Sequence, residues 1–317
     1  MKNLWQSIKE SRAFYSLIGL VVLVIVSSII APSFRTVNNM ITIFRQASLL
    51  LILSSGLTAV LLTGTMDLSV GATAGFVGCV VAQLIKHDMN VAVATLIGLL
   101  IGVVIGLING TLAGILPGFI ATYGTNWVIA GLGIVVMQGA VIYDLPPEFT
   151  QLGVGYLGMI PNLVIFAAIV VAILYVLLTN TTLGRKIYQY GSNPIAAKYA
   201  AMPTRRVVLS AFVICSVCAA FAGMLMTARL NAADAAMGDT YGLQTVAAAV
   251  IGGTSQKGGE GGVLGTIAGA LILTIVVNIM NLTGIPSQAQ GLVIGSVIII
   301  MVLIDTLTRK RQESKMN

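Results

Sequence analysis

The fold class this sequence predicts is an all-α polytopic membrane protein, and three observations predict it. The 317 residues are 57% hydrophobic and only 9% charged, with mean hydropathy +0.99. Apolar runs near the ~20 residues that cross a bilayer recur along the whole chain. Lys and Arg collect in alternate connecting segments. Soluble domains carry about 25% charged residues, and a single soluble core stops growing near ~250–300 residues. Lipid is therefore the solvent for most of this chain. The 35 glycines fit that solvent, because small residues let membrane helices approach closely.

Ten spans follow from the apolar runs: 14–31, 42–62, 69–85, 91–112, 119–141, 162–178, 207–227, 243–253, 263–283 and 288–306. The eighth is too short to cross alone, so it is broken, re-entrant or completed by the glycine-rich stretch after it. With the N-terminus in the cytoplasm, cytoplasmic segments hold Lys2, Lys9, Arg12, Arg185, Lys186, Lys198, Arg205, Arg206, Lys257, Arg309, Lys310, Arg311 and Lys315. The other side holds only Arg35, Arg45, Lys86 and Arg229, so both termini are expected to be cytoplasmic. The first apolar run reads as an uncleaved span. Pro32 follows Ala31, and Ile29 stands where cleavage needs a small residue. The net charge of +7 is a consequence of topology, and no nucleic-acid partner is expected.

Several function classes are excluded. Gly252-Gly253-Thr254-Ser255-Gln256-Lys257-Gly258 is glycine-rich with a lysine, but it lacks the spacing of a nucleotide-binding loop. No catalytic, metal or cofactor site is expected on this chain. The only histidine, His87, lies in the short charged stretch Lys86-His87-Asp88. Cys215 and Cys218 have a redox spacing but fall mid-span, where they read as small apolar packing residues, as does Cys79. The span interiors are nearly free of ionisable groups, with Asp67 at a helix break and Asp305 at a helix end. Proton- or sodium-coupled carriers usually place such groups inside the membrane, so energy is expected from a partner subunit.

Three stretches stand out. In Thr63-Gly64-Thr65-Met66-Asp67-Leu68-Ser69-Val70-Gly71 a glycine ends one helix and Asp67 stands where an N-cap belongs. The break can also line a cavity, because irregular backbone at membrane depth must be buried or face one. The second stretch, the long loop 179–206, contains Gly191-Ser192-Asn193-Pro194. There Ser192 or Asn193 can cap a short helix with Pro194 in its first turn. This reads as a partner-docking element or as a solvated basic connector. The third, Ala247 to Gly269, parallels Ala59 to Gly75: each runs into Gly-Thr, through a loop, to G-x-x-A-G. The pair predicts a parallel internal repeat, with Gly252, Gly253, Thr254 and Ser255 as a gate or repeat loop.

These stretches resemble the membrane permease subunits of bacterial ATP-binding-cassette importers of the ribose, xylose and galactose type. Thr63 to Gly71 matches the family's T-G-G-I-D-L-S-V-G apart from Thr65-Met66, and Pro117 to Gly124 meets P-x-F-I-x-T-L-G. Gly184, Arg185, Tyr188, Gly191, Asn193, Ala196 and Ala197 meet the cytoplasmic pattern. Ala248 to Ser255, Gly258 to Gly261 and Gly265-Thr266 meet the third. The resemblance implies one permease domain over 1–317 in the bacterial inner membrane. It implies a cassette ATPase carrying ATP and magnesium and docking on 179–206. It also implies a periplasmic binding protein that delivers a monosaccharide, and a second permease chain, identical or paralogous. The cargo stays open between a sugar and a nucleoside, a furanone signal or an amino acid. Asp67, Ser69, Thr73, Phe119, Thr122, Asn126 and Trp127 are candidates for the path, with ordinary helix packing as their other role. Two departures from the family stand out. Gly242 replaces a family glutamate, which removes an anionic group expected near the outer mouth, and Ala201-Met202 replaces Gly-Ile.

Overall fold

The computed structural model describes residues 12–286, 289–296 and 299. Most of the tenth predicted span, Asp305 and the basic residues of both termini other than Arg12 lie outside the described residues. The elements are α1 (Arg12–Ile30), a 3-10 turn (Pro32–Arg35), α2 (Val37–Leu61), α3 (Val70–Lys86), α4 (Val91–Ala113), α5 (Gly118–Met137), β1 (Ile142–Tyr143), α6 (Pro147–Val154), β2 (Tyr156–Leu157), β3 (Ile160–Pro161), α7 (Asn162–Asn180), α8 (Thr182–Ser192), α9 (Pro194–Tyr199), α10 (Thr204–Leu230), β4 (Ala232–Ala233), α11 (Tyr241–Ile251) and α12 (Val263–Leu282). Six of them, α2, α4, α5, α7, α10 and α12, are long and apolar enough to cross a membrane. Ser16–Ile30 within α1, α3 and α11 are shorter apolar helices.

Helix α10 is the axis of the bundle, packed on α4, α2 and α3. Its most extensive packing is on α4, and the sequence of α4 explains why. Gly98, Gly102, Gly106 and Gly110 recur every four residues and so form one stripe. A Cβ at Gly106 would lie 2.5 Å from the Val213 Cα, and one at Gly110 would lie 2.8 Å from the Leu209 Cα. Backbone meets backbone along this seam, which in lipid replaces the hydrophobic drive that soluble helices use. Polar pairs fasten other helices. Asn39 and Asn278 exchange amide hydrogen bonds of 3.1 and 2.8 Å between α2 and α12. The Thr58 and Thr266 hydroxyls meet at 2.9 Å between the same helices.

The short eighth span is α11. Eleven residues rise only about 16 Å, half of the ~30 Å hydrocarbon core. Residues 231–240, before α11, run antiparallel along α3. A Cβ at Gly75 would lie 2.9 Å from the Ala235 oxygen, one at Gly71 would lie 2.4 Å from the Gly238 oxygen, and one at Gly242 would lie 3.4 Å from the Leu68 oxygen. The starts of the two short helices α3 and α11 therefore stand side by side, partway through the bundle.

Segment 179–206 is mostly helical. Thr181 accepts from the Gly184 N–H and opens α8. Asn193, rather than Ser192, accepts from the Ala196 N–H and opens α9 behind Pro194. The two-residue strands are local clasps: β1 pairs with β4, and β2 with β3. Cys79, Cys215 and Cys218 are free thiols buried among helices.

Candidate functional site

Between one face of α5 and the 231–240 segment lies a cleft of about 540 Å³. Asn126, Trp127 and Gly131 come from α5, Met137 closes that helix, and Asp234 and Asp239 come from the opposite wall. It reaches from mid-helix α5, at Asn126, to the helix end at Met137 and on to Val141. The walls owe their form to local chemistry. Segment 231–240 is made of turns and the short strand β4, and it meets α3 backbone to backbone at Gly238 and Gly71. Its acidic residues sit on this irregular strip, across the cleft from α5. Asp234 Oδ1 accepts from the Ala236 N–H in a tight turn.

Above the cleft's inner end, α5 presents three aromatic rings four residues apart. Phe119 and Tyr123 lie parallel with centroids 6.0 Å apart, and Tyr123 meets Trp127 edge-on at 6.4 Å. All three are exposed, Trp127 by 65%. An aromatic face, a side-chain amide and two carboxylates in one concavity form a set that binds hydroxyl-rich solutes. The carboxylates accept from hydroxyls, and the ring covers apolar C–H faces.

The predicted path residues divide into two groups. Asn126 and Trp127 line the cleft, and Phe119 continues the aromatic row along α5. Asp67, Ser69, Thr73 and Thr122 are fully buried and away from it. Asp67 is not the cap residue of α3, which begins after Ser69. Instead its Oδ1 accepts from the Ser69 N–H at 2.9 Å and from the Ser69 hydroxyl at 2.6 Å. Asn109 of α4 donates to that same hydroxyl at 2.7 Å. The Thr122 hydroxyl accepts from the Leu68 N–H and donates to the Gly118 oxygen, tying the break to α5. The break is buried against protein, and Asp67 Oδ2, Thr73 Oγ1 and Asn109 Oδ1 there are buried without a hydrogen-bond partner.

Sequence reasoning missed Asn109, Asp234 and Asp239. A lone amide in the apolar run Leu107-Ile108-Asn109-Gly110 was a usable signal. Asp234 and Asp239 line this cleft, and Gly242 packs near the Leu68 oxygen at the start of α3.

At the other end of the bundle the predicted docking and gate residues come together. Gly191 is buried, and a Cβ there would lie 1.8 Å from the Leu62 oxygen and 2.6 Å from the Gly259 nitrogen. Gly259 donates its N–H to the Leu62 oxygen at 2.9 Å. Tyr188 donates to the Gly261 oxygen at 2.9 Å. Burial pushes its phenol pKa up, so it stays a donor. The turn after α2 and the turn after α11 thus meet each other and the end of α8. Thr254 and Ser255 are buried inside this junction, while Gly252 packs on Gly265. Gly184 and Ala197 are buried too, whereas Arg185, Asn193, Ile195, Ala196, Lys198 and Tyr199 are exposed. Ile195 is 69% and Tyr199 88% exposed, one turn apart on α9.

Comparison with known proteins places this architecture. Residues 39–302 match the family described as branched-chain amino acid transport system, permease component. The ribose import permease protein of Escherichia coli (strain K12) is 35% identical over 296 residues, covering 92% of each chain. That of Bacillus subtilis (strain 168) is 38% identical over 292 residues, covering 91% of each. The D-allose transport system permease protein of Escherichia coli (strain K12) is 35% identical over 293 residues, covering 92% of this chain and 90% of its own. No solved structure matches. With two-thirds of its length and more aligned to one family, and a helical bundle of membrane-spanning length to carry it, the chain belongs to that family of transport-system permeases.

Proposed function

We propose that this chain is the membrane subunit of an ATP-driven importer, and that its cargo is a monosaccharide. The observation that carries the reading is the cleft of Asn126, Trp127, Asp234 and Asp239, whose chemistry suits a neutral polyol. The relatives that import ribose and allose support the same cargo class. The chain sits in the bacterial inner membrane with about ten crossings, both termini cytoplasmic, and its two hairpins, at 59–75 and 247–269, related as a parallel repeat. The cleft then opens outward, toward a periplasmic binding protein. A second permease chain faces the aromatic row of α5 and completes the path.

A cassette ATPase on the cytoplasmic side docks on α9. Ile195 and Tyr199 are its contacts, because they are the large apolar groups exposed there. Gly191 and Tyr188 act behind them, passing movement of α8 to the turns after α2 and α11. A C-terminally tagged chain, extracted gently from native membrane, is expected to bring down a cassette ATPase, at one domain per permease chain. Uptake that persists without ATP and collapses with the proton gradient would refute the reading.

A further inference from the structure

One hairpin breaks the pattern of the other turns at its end of the bundle. Those turns carry charge: Lys86-His87-Asp88 after α3, Asp144 and Glu148 around the start of α6, Asp234 and Asp239 before α11. They share one end, because Gln83 Nε2 donates to the Val136 oxygen, β1 pairs with β4, and Gly153 of α6 packs on Arg229 of α10. The β2–β3 hairpin follows α6 directly, yet no Asp, Glu, Lys or Arg stands between Glu148 and Arg185. The hairpin therefore belongs to the same charge-free stretch as α7, a helix of membrane-spanning length.

Pairing sorts its side chains. Tyr156 pairs with Pro161 and Leu157 with Ile160, so the two pairs lie on opposite faces. The first face is turned to the protein: Pro161 is buried, and the Arg45 guanidinium lies 4.7 Å over the Tyr156 ring. Leu157 and Ile160, on the second face, are 70% and 52% exposed, and Met159 at the tip is 94% exposed. Three large apolar side chains standing clear of the protein together mark a contact surface.

Hydrogen bonds fix the level of that surface. The Asn162 N–H donates to the Gly155 oxygen at 3.0 Å, and its side-chain amide donates to the Gln151 oxygen at 2.9 Å. Arg45 Nη2 donates to the Val154 oxygen at 2.8 Å. Asn162 is the first residue of α7, whose 19 residues rise about 28 Å, close to the ~30 Å hydrocarbon core. A helix of that length, with Asn162 and Asn180 at its ends, spans the core from one boundary to the other. The hairpin clasped to Asn162 thus stands at a boundary, where lipid is the apolar phase within reach.

We propose that Leu157, Met159 and Ile160 insert into the bilayer at the acyl–headgroup boundary and anchor the α6–α7 side of the bundle, the occupant of this surface being phospholipid rather than protein. Tyr156 and Arg45 then stand at headgroup level, where aromatic rings and the charged heads of long side chains collect. The anchor requires α7 to be a span, and it is independent of the cargo and of the ATPase.

The test places a nitroxide on one introduced cysteine of the full-length chain in phospholipid bilayer discs; Cys79, Cys215 and Cys218 are buried and stay unlabelled. Power-saturation EPR then reads collisions with oxygen, which concentrates among acyl chains, and with a water-soluble nickel chelate. At Met159→Cys and Leu157→Cys, exposed positions where replacement removes little packing, oxygen collisions are expected to exceed nickel collisions several-fold. At Glu148→Cys, exposed on the adjoining α6, the order is expected to reverse. Nickel reaching position 159 as freely as position 148 would overturn the anchor and put the hairpin in water. Shielding of position 159 from both reagents would overturn it as well and assign the hairpin to a contact between chains.

Discussion

Two regions of the bundle are built on opposite principles. In one, α4 meets α10 through four glycines, with no space for even a methyl group at Gly106. In the other, α5 stands off the 231–240 strip, leaving about 540 Å³ between them. Gly124 and Gly131 on α5 have nothing within 4 Å of where a Cβ would stand. Glycine thus serves two purposes in one protein: it closes the α4–α10 seam and keeps the α5 wall thin. The seam is the tightly packed part, and the open wall is where the proposed function puts the solute and the second chain.

The largest expected effect separates these two uses. Gly106→Leu should cost more than ~3 kcal/mol, the upper end of ordinary overpacking, because the atoms it meets are backbone and cannot yield. Little folded protein should be recovered from the membrane by size-exclusion chromatography. Gly131→Leu, the same change on α5 in open space, should fold normally and block uptake by filling the cleft. If the two variants behaved alike, the distinction between seam and wall would be lost.

The next effect concerns the opposite end. Ile195→Ser with Tyr199→Ser should leave the bundle folded and release the ATPase during co-purification, since contacts at the centre of an interface commonly contribute ~2 kcal/mol or more. Gly191→Val should behave differently, lowering the melting temperature of the permease alone, because it strikes Leu62 within the same chain.

Smaller effects fall within the cleft region. Trp127→Ala should raise the cargo concentration for half-maximal uptake by about tenfold, the equivalent of ~1.4 kcal/mol of ring contact. Thr122→Val should cost about 1–3 kcal/mol of stability through the orphaned Leu68 N–H, and should leave that concentration unchanged because Thr122 is sealed from the cleft.

The sequence made some of this legible and hid the rest for physical reasons. Apolar length announced the six helices long enough to cross a membrane, while two more of the ten expected spans, 14–31 and 69–85, are shorter apolar helices among the described residues, and the brevity of 243–253 announced a half-helix. Asn193-Pro194 announced α9, because caps are local chemistry. The partner of the half-helix was not legible. Residues 231–240 carry Asp234 and Asp239, which break any apolar pattern, and their contacts with α3 are backbone to backbone. The role of Gly191 was hidden likewise: its neighbour Leu62 is remote in sequence, so a motif could place it at the docking segment without revealing that it faces inward. Asp67 and Ser69 read either as path candidates or as capping and packing residues. The fold shows them buried, Asp67 Oδ1 bonded to Ser69 and Ser69 to Asn109, with Asp67 Oδ2 left without a partner. Arg229 was excluded from the spans by a boundary drawn at 227, whereas α10 continues to Leu230.

The most direct test of the central claim is thiol labelling of single-cysteine substitutions with a membrane-impermeant maleimide in intact cells. Cys79, Cys215 and Cys218 are buried, so the unaltered chain supplies a low background. The account predicts rapid labelling at Trp127→Cys and Asp239→Cys, slowed by saturating cargo, and none at Ser69→Cys. Labelling of Ser69→Cys with Trp127→Cys unreactive would contradict it and move the path to the buried break around Asp67.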